Sequence, residues 1–436
     1  MEKYTTYKES GIEWIGAIPK HWSTSNMRWV TSIFAGGTPS KDKPEYWEDG
    51  TIPWLNSGSV NQGIIIVPSK YISEEGFNNS SARWIPRGSV VMALAGQGKT
   101  KGTAAYLDIE STCNQSMAAI CPFQDSYSKF LYFYLKSKYQ SIRGLAGDGK
   151  RDGLNLEMIA QIPCPIPSLH EQTAIASFLD RKTKLIDDLI AKKERLIELK
   201  KEERAAIINR SVTKGLDPNV PMKDSGIEWL GEVPEGWEVK KLKYLIEGTL
   251  KYGANESGIE ESEGNIRYVR ITDFDEDGNL RPENCKFLDP EKSKEYLLED
   301  GDVLFARSGA TVGKTFQFKN VNIIACFAGY LISARPNTEV LATDYLYYYT
   351  KTGSYLNWKN SVFIQATIQN IGADKYSNLV LPVPPREEQI VITQYIIDRY
   401  KSIEEQLIRY QKQIDLLKEY KTTLISEAVT GKIRIA

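Results

Sequence analysis

From His170 to Thr213 the chain contains neither Gly nor Pro, and Lys, Glu, Leu and Ile dominate. That pattern predicts one helix of about 44 residues, about 66 Å long at 1.5 Å per residue. A second such stretch runs from Glu387 to Thr430. Within it Tyr400, Ile403, Leu407, Tyr410, Ile414, Leu417, Lys421 and Leu424 advance by alternating steps of three and four, a coiled-coil seam. In the first stretch the seam positions are Ile186, Ile190, Ile197 and Ile207, interrupted by Lys193, Lys200 and Arg204. Leu185, Leu189, Leu196 and Leu199 widen its apolar stripe, enough to bury a third or fourth helix. Helices of this length outrun a globular domain of the preceding 165 residues, so they are expected to pair with each other, antiparallel, with Gly215–Lys223 connecting the halves.

Outside the helices the pattern shortens. Residues 1–165 hold short β-branched runs, such as Gly63–Val67 and Ser89–Met92, between Gly- and Pro-rich turns. A helix is expected at Ser128–Ser137 and another at Thr343–Thr352, with their aromatic residues serving packing. The chain is also written twice. SGIEWIGAIPKHW (10–22) and SGIEWLGEVPEGW (225–237) share eight of thirteen residues at an offset of 215. PIPSLHEQTAI (165–175) and PVPPREEQIVI (382–392) match at an offset of 217, and that offset continues through the long helices. Trp14, Trp22, Trp229 and Trp237 in the first motif are expected to pin each N-terminal arm to its domain core. The fold class is therefore α+β. Two strand-rich domains (1–165 and 215–384) are separated by two long helices (166–214 and 385–436) that form an antiparallel coiled coil, with a pseudo-two-fold internal repeat.

Composition narrows the chemistry. Two histidines, His21 and His170, are too few for histidine triads or multi-histidine metal sites, and the five cysteines contain no CxxC pair. Reduced thiols in a cytoplasm fit that usage, and no apolar run is long enough to span a membrane. The net charge of −1 resolves into +2 for residues 1–165, +3 for 166–214, −6 for 215–386 and 0 for 387–436. A nucleic-acid binder of this balance needs a local basic face rather than a basic total.

Two runs imitate a phosphate-binding loop: Ala93–Thr100, ending Gly98-Lys99-Thr100, and Ser308–Thr315, ending Gly313-Lys314-Thr315. Each lacks the first glycine, and β-type residues follow where that loop requires a helix. A glycine-rich hairpin presenting Lys99, Lys101, Arg307 and Lys314 to DNA phosphates is the better reading. The chain carries no dinucleotide fingerprint, methyltransferase signature, helicase motif or Ser/His/Asp set, so neither a catalytic residue nor a metal ligand is assigned.

The doubled SGIEW opening resembles that of Type I restriction–modification specificity subunits. So do Gly36-Gly-Thr-Pro-Ser40 with Tyr46-Trp47, Ile52-Pro-Trp54, and the proline-rich lead-in with Glu-Gln before each long helix. The GGTP stretch has only Glu247-Gly248-Thr249 as its counterpart, and Pro167–His170 departs from the pattern kept by Pro384–Glu388. The resemblance implies a cytoplasmic, non-catalytic subunit with no cofactor of its own, whose two domains each read half of a bipartite duplex DNA site. It implies two modification subunits and added restriction subunits as partners, with S-adenosylmethionine, ATP and magnesium held by those partners. The helices would pair with each other and dock the modification subunits through Ile186, Ile190, Ile197, Ile207, Ile403, Leu407, Ile414, Leu417 and Leu424, and would set the gap. Base readout is placed on Asn56, Ser57, Gln97 and Lys99 in the first domain and on Arg270, Thr272, Arg307 and Lys314 in the second. Two other classes stay open. A coiled-coil scaffold would show no DNA selectivity, and a nucleotide-dependent hydrolase using the Gly-Lys-Thr loops would bind ATP alone.

Overall fold

A computed structural model describes residues 2–435 apart from 97, 147–152, 275–277, 279, 320–321 and 365–369. Four helices organise it: α1 (Asp125–Ser137), α2 (Leu169–Lys214), α3 (Thr343–Tyr349) and α4 (Arg386–Val429). The chain divides into two compact units, residues 1–193 with 412–436, and residues 194–411. Each unit therefore holds one globular domain and one stretch of each long helix.

In the first unit a five-stranded sheet runs in the order Thr31–Ala35 (β1), Met117–Pro122 (β5), Val90–Ala93 (β3), Ala104–Leu107 (β4), Ile64–Ile65 (β2). Its pairs are antiparallel except the last. Val90, Val91, Met92 and Ala93 are all buried, as an interior strand covered on both faces requires. Helix α1 packs its aromatic face on this sheet, with Phe130, Tyr132, Phe133 and Tyr134 buried, so these rings do serve packing.

The second unit repeats the plan with Lys251–Tyr252 (β6), Leu331–Ala334 (β9), Val303–Ala306 (β7) and Thr315–Gln317 (β8). The register equates the halves residue by residue. Ala93 faces Met117 as Ala306 faces Leu331, and Val90 faces Tyr106 as Val303 faces Gln317. By the same register Gly36 matches Gly253, not the Glu247–Thr249 stretch. A Cβ on Gly36 would lie 1.8 Å from the Cys113 carbonyl oxygen, and one on Gly253 2.4 Å from those of Phe327 and Ala328. Both positions exclude a side chain because backbone passes directly over them, which a motif search cannot see.

The long helices begin and end by local chemistry. Ser168 and Glu171 form a reciprocal cap at the start of α2: Ser168 Oγ and N–H donate to Glu171, and the Glu171 N–H donates back to Ser168 Oγ. Gly215 and Gly431, both left-handed, follow the two C-termini. In the first unit Lys421 pairs with Asp187 and Lys193 donates to Gln413. In the second, Arg204 donates to the Tyr400 hydroxyl at 3.0 Å and Arg399 pairs with Glu203. In the first unit the partner's number falls from 421 to 413 as that of α2 rises from 187 to 193, so the helices run antiparallel. Ile186, Ile190, Ile403, Ile414 and Leu424 are buried along the seam, and Ile197, Ile207, Leu407 and Leu417 are half-buried. The seam's cations are accommodated: Lys193 meets Gln413, Lys200 pairs with Glu203, and Arg204 lies 4.7 Å over the Tyr400 ring.

Candidate nucleic-acid interface

Both Gly-Lys-Thr runs are turns between antiparallel strands, β3 to β4 and β7 to β8. The chain enters a strand after each run, so no helix N-terminus faces the turn and the phosphate-loop reading fails on geometry. Lys99 and Lys314 are exposed on these turns. The first turn is braced from α1's neighbourhood: Tyr139 donates its hydroxyl to the Lys99 carbonyl at 3.0 Å, and Arg143 donates to that of Gly98 at 2.5 Å. Lys101 does not share this exposure. It is 8% exposed, drawn into the fold by the return of the hairpin, and does not present its ammonium as Lys99 does.

Asn56 and Arg270 occupy one position in the two halves, each capping a short 3-10 turn directly after a strand. Asn56 accepts from the Gly58 N–H at 2.8 Å, with Ser57 beside it as the first residue of the turn. Arg270 is held differently. Its guanidinium donates at 2.8 Å to Asp273, which is itself buried, and at 2.9 Å to the Asn284 carbonyl. Thr272 is exposed on the same turn. Gln97 lies outside the described residues. Arg307 is half-buried, with its guanidinium 4.9 Å over the Tyr252 ring. Its backbone N–H donates to the carbonyl of Tyr330, and Tyr330 is exposed. Lys314, Arg307, Tyr252 and Tyr330 thus belong to one sheet end, reached by its turns. The two tyrosines were not legible as site residues, because only strand register brings residues 252, 307 and 330 together.

The domains are latched to their helices by a second constellation. Glu171, in the first turn of α2, is 6% exposed and accepts from Trp22 Nε1 at 3.0 Å, Tyr4 hydroxyl at 2.9 Å and Ser168. His21 Nε2 lies 2.9 Å from the same carboxylate. Burial raises the carboxyl's pKa, but the hydrogen bonds from Trp22, Ser168, His21 and Tyr4 outweigh it and hold the group down at about 2. In the second half Trp237 Nε1 donates to Glu388 at 3.1 Å. The adjoining glutamines do matching work: Gln172 donates to the Pro167 carbonyl and Gln389 to that of Pro384, each at 2.9 Å. Trp22 and Trp237 therefore pin the arm to the helix start; the Glu of the Glu-Gln pair read in the sequence accepts that latch, and the Gln ties the helix start to the prolines before it. Trp22 and Trp237 are buried, whereas Trp14 and Trp229 are half-buried.

Burial pushes the Cys113, Cys164 and Cys326 thiols up to about 12, the reverse of a reactive cysteine. Among the described residues no cluster of metal-ligating side chains occurs, and no helix is long and apolar enough to cross a membrane.

Two copies of one hairpin-bearing domain, each latched through Trp and Glu to its own long helix, define a duplicated recognition module on paired helices. The chain belongs to the family of Type I restriction modification DNA specificity domains, whose model matches residues 19–199 and again 234–413. It is 24% identical to the Type I restriction enzyme MjaIX specificity subunit of Methanocaldococcus jannaschii, over 99% of this chain and 97% of that protein. The StySPI specificity subunit of Salmonella potsdam is 24% identical over 92% of this chain and 85% of its own length. A chain from a structure describing complex assembly and conformational transition of the type I R-M system shares the fold. Its TM-score is 0.73 at 18% identity, covering 95% of this chain and 99% of that one.

Proposed function

We propose that this chain is the DNA sequence-specificity subunit of a cytoplasmic Type I restriction–modification complex, each of its domains, 1–165 and 215–384, reading one half of a bipartite duplex site. The observation that carries the reading is the residue-for-residue duplication of a hairpin-bearing, helix-latched domain, matched twice by the specificity-domain model. A non-palindromic split site needs two related but different readers, and the two halves differ at the positions where readout is expected. Asn56, with Ser57 beside it, stands in the first half where the ion-paired Arg270, with Thr272 beside it, stands in the second. Lys99 and Lys314 contact phosphates and set register, while Asn56, Gln97, Arg270 and Arg307 contribute to base readout.

Catalysis belongs to the partners. The long helices leave apolar side chains uncovered in both units: Leu185, Leu189, Leu416 and Tyr420 in one, Leu196, Leu199 and Ile408 in the other. Uncovered leucines on a helix pair that has already closed its seam favour additional helices from a partner, one set per unit, in keeping with two modification subunits. The paired helices then fix the gap between half-sites. The test is to express the chain with its modification subunit and sequence the methylome: a single bipartite adenine-methylated motif is expected. Methylation at one contiguous motif, or at none while the complex assembles, would remove the split-site reading.

A further inference from the structure

The two recognition domains present the same short turn with different side chains. In each, a strand (Ile52–Leu55 or Ile266–Val269) runs into a 3-10 turn, opened by Asn56 in the first domain and by Arg270 in the second. The surroundings match. Leu55 accepts from the Asn114 N–H and Val269 from the Ala328 N–H, each at 2.9 Å. Two residues further along, Ser116 accepts from the Leu94 N–H at 2.9 Å and Tyr330 from the Arg307 N–H at 3.0 Å. Positions 56 and 270 therefore lie beside the strand ends from which the hairpins leave.

What holds each opening residue differs, and it differs in step with the residue three positions on. In the first domain Asn56 turns its amide oxygen back to the Gly58 N–H at 2.8 Å, and Ser59, 4% exposed, meets the Ser69 hydroxyl. In the second domain Asp273, 3% exposed, accepts from the Arg270 N–H at 3.0 Å, from its Nη2 at 2.8 Å and from its Nε at 3.4 Å. The other Nη2 hydrogen goes to the Asn284 carbonyl at 2.9 Å. A buried carboxylate is costly without a cation, and a guanidinium without a fixed partner sweeps many rotamers, so Arg270 and Asp273 each require the other. With Nε and Nη2 committed, Nη1 keeps both hydrogens uncommitted among the described residues, on a side chain that is 31% exposed.

We propose that Asp273 is a positioning residue for base readout, fixing the Arg270 guanidinium so that Nη1 meets a guanine edge in the major groove of the second half-site. This role rests on the reading of the domains as DNA readers and extends it to the base class and to the residue beneath the reader. Guanine offers two neighbouring acceptors, N7 and O6, to the two Nη1 hydrogens, whereas adenine sets a donor beside its N7. The residue three beyond the reader, Ser59 or Asp273, decides which side chain can be held there, so a change of reader calls for a change at both positions.

Methylome sequencing of a host expressing the chain with its modification subunits is the assay. A wild-type methylome without a bipartite motif would remove the domain reading and this role with it, whereas the variants test the role alone. Asp273→Asn keeps an oxygen for the Arg270 N–H but gives up the charge that holds the guanidinium. Preference for guanine at one position of the second half-site is expected to fall about tenfold, with the first half-site unchanged. Arg270→Asn leaves Asp273 buried and unpaired, and is expected to lower the chain's unfolding midpoint and its methylation together. Adding Asp273→Ser, which gives the second domain the first domain's pair, is expected to recover the midpoint and to yield methylation with the base altered at that position alone. An unchanged motif in Asp273→Asn, loss of the whole second half-site there, or equal stability of Arg270→Asn with and without Asp273→Ser would overturn the assignment.

Discussion

Replacing Glu171 by Gln isolates the latch between the first domain and its helix. Four donor groups, from Trp22, Tyr4, His21 and Ser168, converge on this one carboxylate, and an amide can accept from fewer of them and turns a donor toward the rest. The folded carboxyl titrates at about 2 against an ordinary value of 4.5. At about 1.4 kcal/mol per unit this corresponds to about 3 kcal/mol of pH-linked stability. His21 is half exposed, and solvent screening on that side reduces the figure to about 2 kcal/mol. Because the folded pKa is depressed, the contribution is complete above the unfolded value and is lost as pH falls from about 4.5 toward 2. Urea unfolding followed by tryptophan fluorescence at pH 7 and at several pH values below 5 measures both quantities. Wild type should lose stability through that window, and Glu171→Gln should be destabilised by about 2 kcal/mol at pH 7 with a shallower acid limb. Glu388→Gln, which keeps an amide oxygen to accept from Trp237 and loses only the acceptor's charge, should cost no more than about 1 kcal/mol. Equal losses at the two sites, or an unchanged acid limb in Glu171→Gln, would refute the argument that converging hydrogen bonds hold the first domain to its helix.

Alanine at Lys99 or Lys314 should weaken duplex binding by the complete complex and lower the slope of log affinity against log salt by about one, with the recognised sequence unchanged in the methylome. The purified chain should give no heat with S-adenosylmethionine or ATP, and micromolar binding of either by calorimetry would contradict its non-catalytic role. A chain stopped after Gly215 keeps one domain and one long helix whose stripe lacks its partner. Light scattering should find it paired with a second copy, and with modification subunits it should methylate a symmetric site. Four residues inserted near Lys192–Arg195 lengthen α2 by about 6 Å. At about 3.4 Å per base pair the gap in the methylated motif should grow by one to two base pairs, and an active insertion mutant with an unchanged gap would show that the helices only dock partners.

Both long helices were legible within a residue or two, because an uninterrupted run without Gly or Pro and a seam of alternating threes and fours have few other solutions. Ile186, Ile403, Ile414 and Leu424 are buried where the period placed them. The duplication was equally plain, since identical residues at a constant offset need no coordinates. The Gly-Lys-Thr hairpins could be told from phosphate loops by the strand residues that follow. What the chain alone withheld depends on register between segments far apart in sequence. The match of Gly36 to Gly253 follows from which backbone crosses each glycine, not from the residues beside it. Lys101 and Lys99 look alike two positions apart, yet the return of the hairpin buries one and exposes the other. Glu171 reads as an ordinary helix-start acid until Tyr4, His21 and Trp22 fold back onto it from 149 to 167 residues away. Local pattern decides which elements form, because propensity and amphipathic period act within a few turns of chain. Which side chains share a site is decided by long-range packing, where a single position of register moves a residue to the opposite face.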